Sequence, residues 1–196
     1  MFPLILTADF ARFTIVGNEY LAQKRLKQLQ EAGIKHIDIF SPSPCHCMGE
    51  TAGDNIKRRL PKWHEIARTH ILYIVDIEEK KAEKLAKTAR FFKTLVNVED
   101  VIPLCDFHTP ALVRRGDLLI SISTNGKSPG LARRIKKRLS QLFPEEWAEK
   151  LDKLGKIRLE WRSQGLQLKE VAKKTDDFLD QEGWLEDVSS GHNRIK

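Results

Sequence analysis

Short apolar runs alternate with apolar stripes of helical period along the first hundred residues of the chain. Residues 13–16 form a run typical of a strand, and the helical stripe that follows it closes at Gly33. Such alternation indicates βαβ units with right-handed crossovers, and therefore a parallel, doubly wound sheet. The predicted strands are 13–16, His36–Phe40, 71–75 and Leu95–Val98, and the predicted helices carry Leu21, Ala22, Leu26 and Leu29 and then Ala82, Leu85, Ala86 and Ala89.

From residue 144 onward the strand signals stop and only helical spacing remains. Trp147, Leu151, Leu154 and Trp161 recur at intervals that place them along one side of a helix. An apolar stripe of this kind needs a surface against which it can be buried. We therefore expect an α/β domain followed by a helical region.

A carboxylate and a hydroxyl-rich turn follow two of the apolar runs. The segment Leu95–Val98 is typical of a strand buried on both faces, and Asp100 lies just beyond its carboxyl end. Residues 118–123 form a second such strand, and the helix after it is predicted to have Ser128 as N-cap and Pro129 as its first residue. Open α/β sheets bind ligands at the carboxyl ends of their strands. We therefore expect the chemistry of this protein at these two places.

The turn that precedes this helix is suited to an anionic ligand. The backbone N–H groups of Asn125, Gly126 and Lys127 precede the positive end of the helix dipole. A carboxylate or a phosphate is the ligand group that this arrangement favours.

Five segments of the sequence together resemble one known family, the precorrin-2 dehydrogenases and the amino-terminal part of siroheme synthases. The resemblance covers most of the chain and is weak in the tail. The segments are Phe2-Pro3-Leu4, Phe13-Thr14-Ile15-Val16-Gly17 before a helix, Leu95-Val96-Asn97-Val98-Glu99-Asp100, Leu104-Cys105-Asp106-Phe107, and Ser123-Thr124-Asn125-Gly126-Lys127-Ser128-Pro129 with Leu131-Ala132-Arg133 after it.

The resemblance implies a fold and an activity. It implies a Rossmann-like NAD-binding domain over residues 1–115, a dimerisation and substrate-cleft segment over 116–143, and a C-terminal helical region over 144–196 that helps to form a homodimer. The implied reaction is the NAD-dependent dehydrogenation of precorrin-2 to sirohydrochlorin, and some members of the family then insert ferrous iron. The substrate is an acidic tetrapyrrole.

The resemblance also implies roles for individual residues. Asp100 matches the catalytic aspartate, a candidate general base for the dehydrogenation and for removing pyrrole protons during metal insertion. Precorrin-2 carries many carboxylates, for which basic side chains and a helix N-terminus are suitable partners. The implied substrate-binding residues are Ser123, Thr124, Asn125, Gly126, Lys127, Ser128 and Arg133, and the implied cofactor-binding residues are Gly17, Asn18, Glu19 and Ala22.

The first turn departs from the dinucleotide-binding pattern Gly-x-Gly-x-x-Gly/Ala. Gly17 and Ala22 fill its first and last positions, but Glu19 replaces the second glycine and brings bulk and negative charge towards an anionic cofactor. Asp76 places another carboxylate in the same region. Two explanations stay open: Glu19 turns outward and leaves a weaker NAD site, or the chain is a non-catalytic or chelatase-only tetrapyrrole-binding paralogue that has lost NAD binding.

Composition restricts the classes of protein that the chain can belong to. It has 196 residues, 41% of them hydrophobic, which suffices for a buried core and excludes a disordered or fibrous chain. The excess of 34 basic over 27 acidic residues gives a net charge of +7, which attracts acidic partners. A basic protein that binds nucleic acid through residues 133–138 is a third hypothesis, disfavoured because no recognition motif accompanies the charge. No signal peptide or membrane span is indicated, so we expect a cytoplasmic protein.

Two features raise the question of metal binding. Asp100 and His108 are secondary candidates as metal ligands, although a hydrogen-bonded structural role is the more common one for such a histidine. The tripeptide Cys45-His46-Cys47 contains ligand residue types, yet adjacent residues rarely complete a tetrahedral shell. We interpret this tripeptide as part of a polar loop.

Overall fold

A five-stranded parallel sheet organises the first half of the computed structural model, which describes residues 2–46 and 55–185. Its strand order is β3-β2-β1-β4-β5, as the predicted βαβ units require. The short strand β3 was not among the strands predicted from the sequence. The strands are β1 (Arg12–Val16), β2 (His36–Phe40), β3 (Ile56–Lys57), β4 (Ile71–Ile74) and β5 (Leu95–Val98).

Helices cover both faces of this sheet. On one face α1 (Tyr20–Glu31) buries Ala22 and Leu26 against β1 and β4, whereas on the other α2 (Trp63–Ile66) and α3 (Glu79–Phe91) pack against the opposite side chains of the same strands. The central strands β1 and β4 therefore have buried apolar residues on both sides, which explains their apolar runs in the sequence. The predicted doubly wound α/β fold is confirmed.

The free edge of β5 is closed by the segment that follows it. The Asp106 carboxylate accepts a hydrogen bond from the Val96 N–H at 3.0 Å, and the Asp106 N–H donates to the Val96 carbonyl at 2.7 Å. The Asn97 side chain donates to the Phe107 carbonyl at 2.8 Å. Residues 104–107, which were singled out as a motif, thus serve as the edge cover of the sheet.

The chain divides into two compact units, residues 1–108 and 109–196. The second unit begins with an antiparallel hairpin of β6 (Ala111–Arg115) and β7 (Leu118–Ile122). The boundary therefore precedes the one expected after residue 115, because Arg115 pairs with Leu118 across the hairpin.

The prediction that residues 118–123 form a strand buried on both faces of the parallel sheet is wrong. Only two residues connect β6 to β7, with Gly116 at φ +55°, whereas a parallel partner would require a crossover of about a dozen residues. The segment is a strand, but it belongs to a separate two-stranded sheet and most of its residues are only half-buried.

Three helices complete the second unit. Helix α4 (Pro129–Leu142) packs on one face of the hairpin, where Ala132, Ile135 and Leu139 meet Val113 and Ile122. The last two are α5 (Trp147–Ser163) and α6 (Leu168–Glu182), in agreement with the helical spacing of the sequence beyond residue 144.

Candidate functional site

The turn between β1 and α1 has the close packing that a dinucleotide-binding turn needs. A Cβ atom on Gly17 would lie 2.6 Å from the Ala22 Cβ and 2.7 Å from the Val75 carbonyl oxygen, so no larger residue fits. Ala22 itself is fully buried. Two of the positions that the motif prescribes, its first glycine and its final small residue, therefore have the structural role expected of them.

Asn18 joins this turn to the loop after β2. Its side-chain oxygen accepts hydrogen bonds from the Ser41 hydroxyl and the Ser43 N–H, both at 3.1 Å, and its carbonyl accepts one from the Cys45 N–H at 2.8 Å. Because three bonds hold Asn18, its amide oxygen is already used within the protein. Its role here is to fix the turn.

Glu19 is the N-cap of α1, and its side chain extends into solvent. Its backbone is extended at φ −124° and ψ −162°, and its carboxylate makes no capping hydrogen bond. The first N–H groups of a helix have no partner within the helix, so those of α1 remain free to meet a ligand at this turn. The backbone of this turn fits a dinucleotide, and the departure from the pattern Gly-x-Gly-x-x-Gly/Ala is confined to the side chain of Glu19.

Asp100 lies at the carboxyl edge of the same sheet, immediately after β5. It is exposed and has a left-handed backbone conformation, with φ +60°. Residues with such a conformation are uncommon outside glycine and concentrate at functional sites. The neighbouring Glu99 has a different role: its carboxylate is 2.9 Å from the Arg25 guanidinium, which lies 4.6 Å from the Tyr73 ring centroid.

A half-buried thiol holds the backbone around Asp100. The Cys105 Sγ donates towards the carbonyl oxygens of Val98 at 3.1 Å and Val101 at 3.4 Å, one on each side of the turn. Burial raises the pKa of the Cys105 thiol above its ordinary value, so the thiol keeps its proton at neutral pH. The roles of Cys105 and Arg25 were not predicted from the sequence. The only signal for them was position: Cys105 lies within the motif of residues 104–107, and Arg25 lies in the helix that follows the motif of residues 13–17.

Three carboxylates therefore line the carboxyl edge of the parallel sheet. Glu19 follows β1, Asp76 follows β4 with φ +55°, and Asp100 follows β5, and these three strands are consecutive in the sheet. Within residues 2–46 and 55–185 no cation pairs with any of the three. This edge is acidic where an anionic cofactor would approach.

The second turn, between β7 and α4, is built by its hydroxyl groups. Ser128 is the N-cap of α4, accepting from the Leu131 N–H at 3.2 Å, and Pro129 is the first helical residue, as predicted. The Thr124 hydroxyl in turn accepts from the Ser128 N–H at 3.2 Å. Asn125 and Gly126 both have left-handed backbones, at φ +53° and +74°.

The expectation that three N–H groups of this turn are open to an anion needs correction. The Asn125 N–H donates to the Ser123 hydroxyl at 3.3 Å, and the Lys127 N–H to the Thr124 carbonyl at 3.0 Å. A tight turn satisfies its own donors in this way. Gly126 is the exception, and nothing lies within 4 Å of the position where its Cβ would be.

Exposed cations follow this turn along α4. Lys127 and Arg133 are both exposed, and neither has an ion-pair partner in the part of the chain that the structure describes. The apolar side of α4 is buried on the hairpin, so its basic side faces outward. The positive charge that could hold acidic groups is thus next to the capped N-terminus of α4.

Of the residues proposed as metal ligands, Asp100, His108, Cys45 and His46 lie in the described part of the chain. His108 is the last residue of the first unit and is exposed. Cys47 lies outside the described residues. Among those that are described, no group of three or more His, Cys, Asp or Glu side chains is placed to hold a metal ion. No helix of the described chain has the length and apolar character needed to cross a membrane.

Comparisons with known proteins agree with the motifs. Residues 4–111 match the model of a family described as putative NAD(P)-binding, and residues 115–142 match the model described as sirohaem biosynthesis protein central. Siroheme synthase of Acinetobacter baylyi is 30% identical over 167 residues, which are 83% of this chain and 35% of that protein. Siroheme synthase of Psychrobacter cryohalolentis is 32% identical over 165 residues, 82% of this chain and 30% of that one.

The chain thus spans about a third of the length of the curated relatives that it matches. Among solved structures, "SirC, precorrin-2 dehydrogenase" superimposes with a TM-score of 0.72, covering 97% of this chain and 100% of that chain at 19% identity. At that identity the likeness concerns the fold, which includes the helices of the second unit.

Proposed function

The chain belongs to the putative NAD(P)-binding family, and from that premise we propose that it catalyses the NAD(P)-dependent dehydrogenation of precorrin-2 to sirohydrochlorin in siroheme biosynthesis. The family resemblance inferred from the sequence motifs is confirmed by the family models and the siroheme synthase relatives. The substrate and the reaction are proposed from the names of these relatives, from the solved structure with the same fold, and from the residues of the site.

The position of Asp100 is the observation that carries the proposal. Its carboxylate is exposed, unpaired within the described residues, and located at the sheet edge that also carries the dinucleotide turn. Glu99 is bound to Arg25, and Cys105 holds the carbonyl groups on either side of the turn. A carboxylate with a fixed backbone and a free side chain is suited to transferring protons.

In the proposed reaction Asp100 accepts the proton that leaves the tetrapyrrole. A nicotinamide dinucleotide, when bound, supplies the acceptor for the hydride, so one hydride and one proton leave precorrin-2 together. Gly17 and Ala22 shape the turn that holds the dinucleotide, and Asn18 fixes that turn to the loop after β2. If ferrous iron is inserted afterwards as a second substrate, Asp100 is also the residue proposed to remove pyrrole protons.

Binding of the substrate is assigned to the second turn and its helix. We propose that Lys127 and Arg133 pair with carboxylates of the tetrapyrrole, because both side chains are exposed and lack ion-pair partners in the described chain, and that the positive end of the α4 dipole adds to their attraction. Ser123, Thr124 and Ser128 set the shape of this turn through their hydroxyl groups. Asn125 and Gly126 provide its left-handed backbone.

We propose that the protein works as a homodimer in the cytoplasm. The hairpin of β6 and β7 has two outer edges without a strand partner among the described residues, and unpaired strand edges are places where a second chain can pair. Leu131 is 51% exposed at the start of α4. Sedimentation analysis is expected to give a mass of two chains, and a single-chain mass at all concentrations would contradict the dimer.

The catalytic proposal is tested by anaerobic oxidation of precorrin-2 with NAD⁺ and with NADP⁺. Asp100→Asn is expected to lower kcat by at least about 100-fold, since the carboxylate that accepts the proton is lost. Asp76→Asn is the matched control, because the same substitution is made in the same left-handed conformation at the same sheet edge. It should leave kcat within about threefold of the wild type. Equal losses in both variants would remove Asp100 from the mechanism.

A second function is favoured by Glu19. With no glycine at that position, the chain could bind sirohydrochlorin without using a dinucleotide, as a carrier or as a chelatase only. Sirohydrochlorin binding without precorrin-2 oxidation under either cofactor would select this alternative. Insertion of ferrous iron, followed by the change in absorbance spectrum, would then separate the chelatase from the carrier.

A further inference from the structure

We infer that Glu19 sets the affinity of this chain for the dinucleotide, by holding a fixed negative charge where the diphosphate must approach. The inference rests on the proposed use of NAD(P) and adds to it a residue that determines affinity. In the dinucleotide motif the second glycine stands where backbone and diphosphate come closest, so the charge of a side chain at this position lies near the approaching phosphates.

The backbone at Glu19 cannot move away from that place. Gly17, two residues before it, is enclosed by Ala22 and Val75, and the Gly17 N–H donates to the Phe40 carbonyl at 3.0 Å. Asn18 is held by three hydrogen bonds from the loop after β2. The residue after Glu19 begins α1. Relief of the repulsion is therefore limited to rotation of the Glu19 side chain.

The surroundings do not neutralise this charge. Among the described residues Glu19 has no ion-pair partner, and Asp76 and Asp100 follow the next two strands of the sheet. Arg25, a cation on the same helix, has a side chain that is only 12% exposed and is already paired with Glu99. The free N–H groups at the start of α1 are the positive element that remains, and the Glu19 carboxylate, which does not bond to them, lowers the positive potential that they offer to a phosphate.

Replacement of Glu19 is compatible with the fold. Its φ of −124° is an ordinary extended value, so no particular residue is required there, and its side chain makes no capping bond that a substitution would break. Glutamine removes the charge and keeps the bulk, while glycine removes both. Charge and bulk can therefore be measured separately.

Isothermal titration with NAD⁺ and NADP⁺ tests the inference on the full chain. Removing one charge at about 5 Å in a partly aqueous environment corresponds to an affinity change of roughly tenfold. Glu19→Gln is therefore expected to lower Kd by about 10-fold, and Glu19→Gly to lower it further. Added salt should reduce the difference in Kd between the wild type and Glu19→Gln, since it screens the repulsion between the Glu19 carboxylate and the diphosphate.

Glu31→Gln is the matched control, because Glu31 is the last residue of the same helix and the charge change is identical. It lies roughly 18 Å along α1 from Glu19, and its Kd should equal that of the wild type. Thermal unfolding of each variant checks that the fold is intact. The inference is overturned if Glu19→Gln and Glu19→Gly bind no more tightly than Glu31→Gln.

The outcomes also separate this inference from the proposed function. The wild type could neither bind NAD(P) nor oxidise precorrin-2, while Glu19→Gly binds NAD(P) tightly. That result supports the inference and contradicts the dehydrogenase proposal. If the wild type oxidises precorrin-2 and the Kd for NAD(P) is the same in the wild type, Glu19→Gln, Glu19→Gly and Glu31→Gln, the dehydrogenase proposal is supported and the inference is overturned. No binding in any variant overturns the inference as well.

Discussion

The two strand–turn–helix connections of this chain have the same local plan and opposite electrostatics. The turn from β1 to α1 ends at Glu19, an N-cap without a side-chain bond, and is followed by two more carboxylates along its sheet edge. The turn from β7 to α4 ends at Ser128, a bonded N-cap, and is followed by exposed cations. The comparison shows that the same backbone device, a helix N-terminus after a strand, can disfavour or favour an anion according to the residues placed around it.

The largest expected effect comes from removing the close packing that is special to the first turn. Gly17→Ala should lower the free energy of unfolding by about 3 kcal/mol, because its Cβ meets the Ala22 Cβ and the rigid Val75 carbonyl. Gly130→Ala in α4 is the control: nothing lies within 4 Å of its Cβ, so stability should be unchanged or slightly higher. Urea unfolding measures both. Equal midpoints for the two variants would show that the first turn can relax.

A smaller effect is expected from exchanging the capping properties of the two helices. Ser128→Ala removes the acceptor of the Leu131 N–H and should cost about 1 kcal/mol of stability. Glu19→Ser supplies α1 with the kind of cap that it lacks and should stabilise the chain by a fraction of that amount. Thermal unfolding compares them, and a loss of stability in Glu19→Ser would mean that the Glu19 side chain contributes to folding.

The smallest effects concern the cations of the second turn. Lys127→Gln and Arg133→Gln should each weaken sirohydrochlorin binding by a few-fold and reduce its dependence on salt, since exposed charge pairs are individually weak. Lys169→Gln, which removes an exposed lysine at the start of α6, is the control and should leave affinity unchanged. Fluorescence titration at two salt concentrations measures all three. Equal affinity in all variants would argue against this turn as the tetrapyrrole site.

Much of the first unit could be predicted from the sequence, because its longer strands and its two long helices contribute apolar side chains to the core at regular spacing. His36–Phe40 and Leu95–Val98 have the bounds that their apolar runs predicted, and helix α1 ends just before the positive-φ Gly33. The two-residue strand β3 escaped prediction because its place is set by pairing with β2 rather than by its own pattern. The local apolar pattern therefore predicts strands of four or five residues that contribute to the core, and it does not predict a strand of two residues.

The second unit was harder to predict because pairing is not a local property. The run 118–122 was recognised as a strand, but its partner at 111–115 was not, and only the intervening Gly116 signalled a hairpin. The cap at Ser128 was predictable from Ser-Pro alone. At the first site the residue types were visible in the sequence, whereas the bonds that fix Asn18 and the turn of Asp100 depend on residues more than five positions away along the chain.

The covering of β5 by residues 104–107 bears on how this protein behaves in concentrated solution. Asp106 occupies both the N–H and the carbonyl of Val96 and is itself held by Arg90 at 2.9 Å, so no strand of another molecule can add there. At the opposite edge β3 is only two residues long, too short to template a growing sheet. The parallel sheet is therefore protected at both edges against the strand-by-strand addition that begins aggregation.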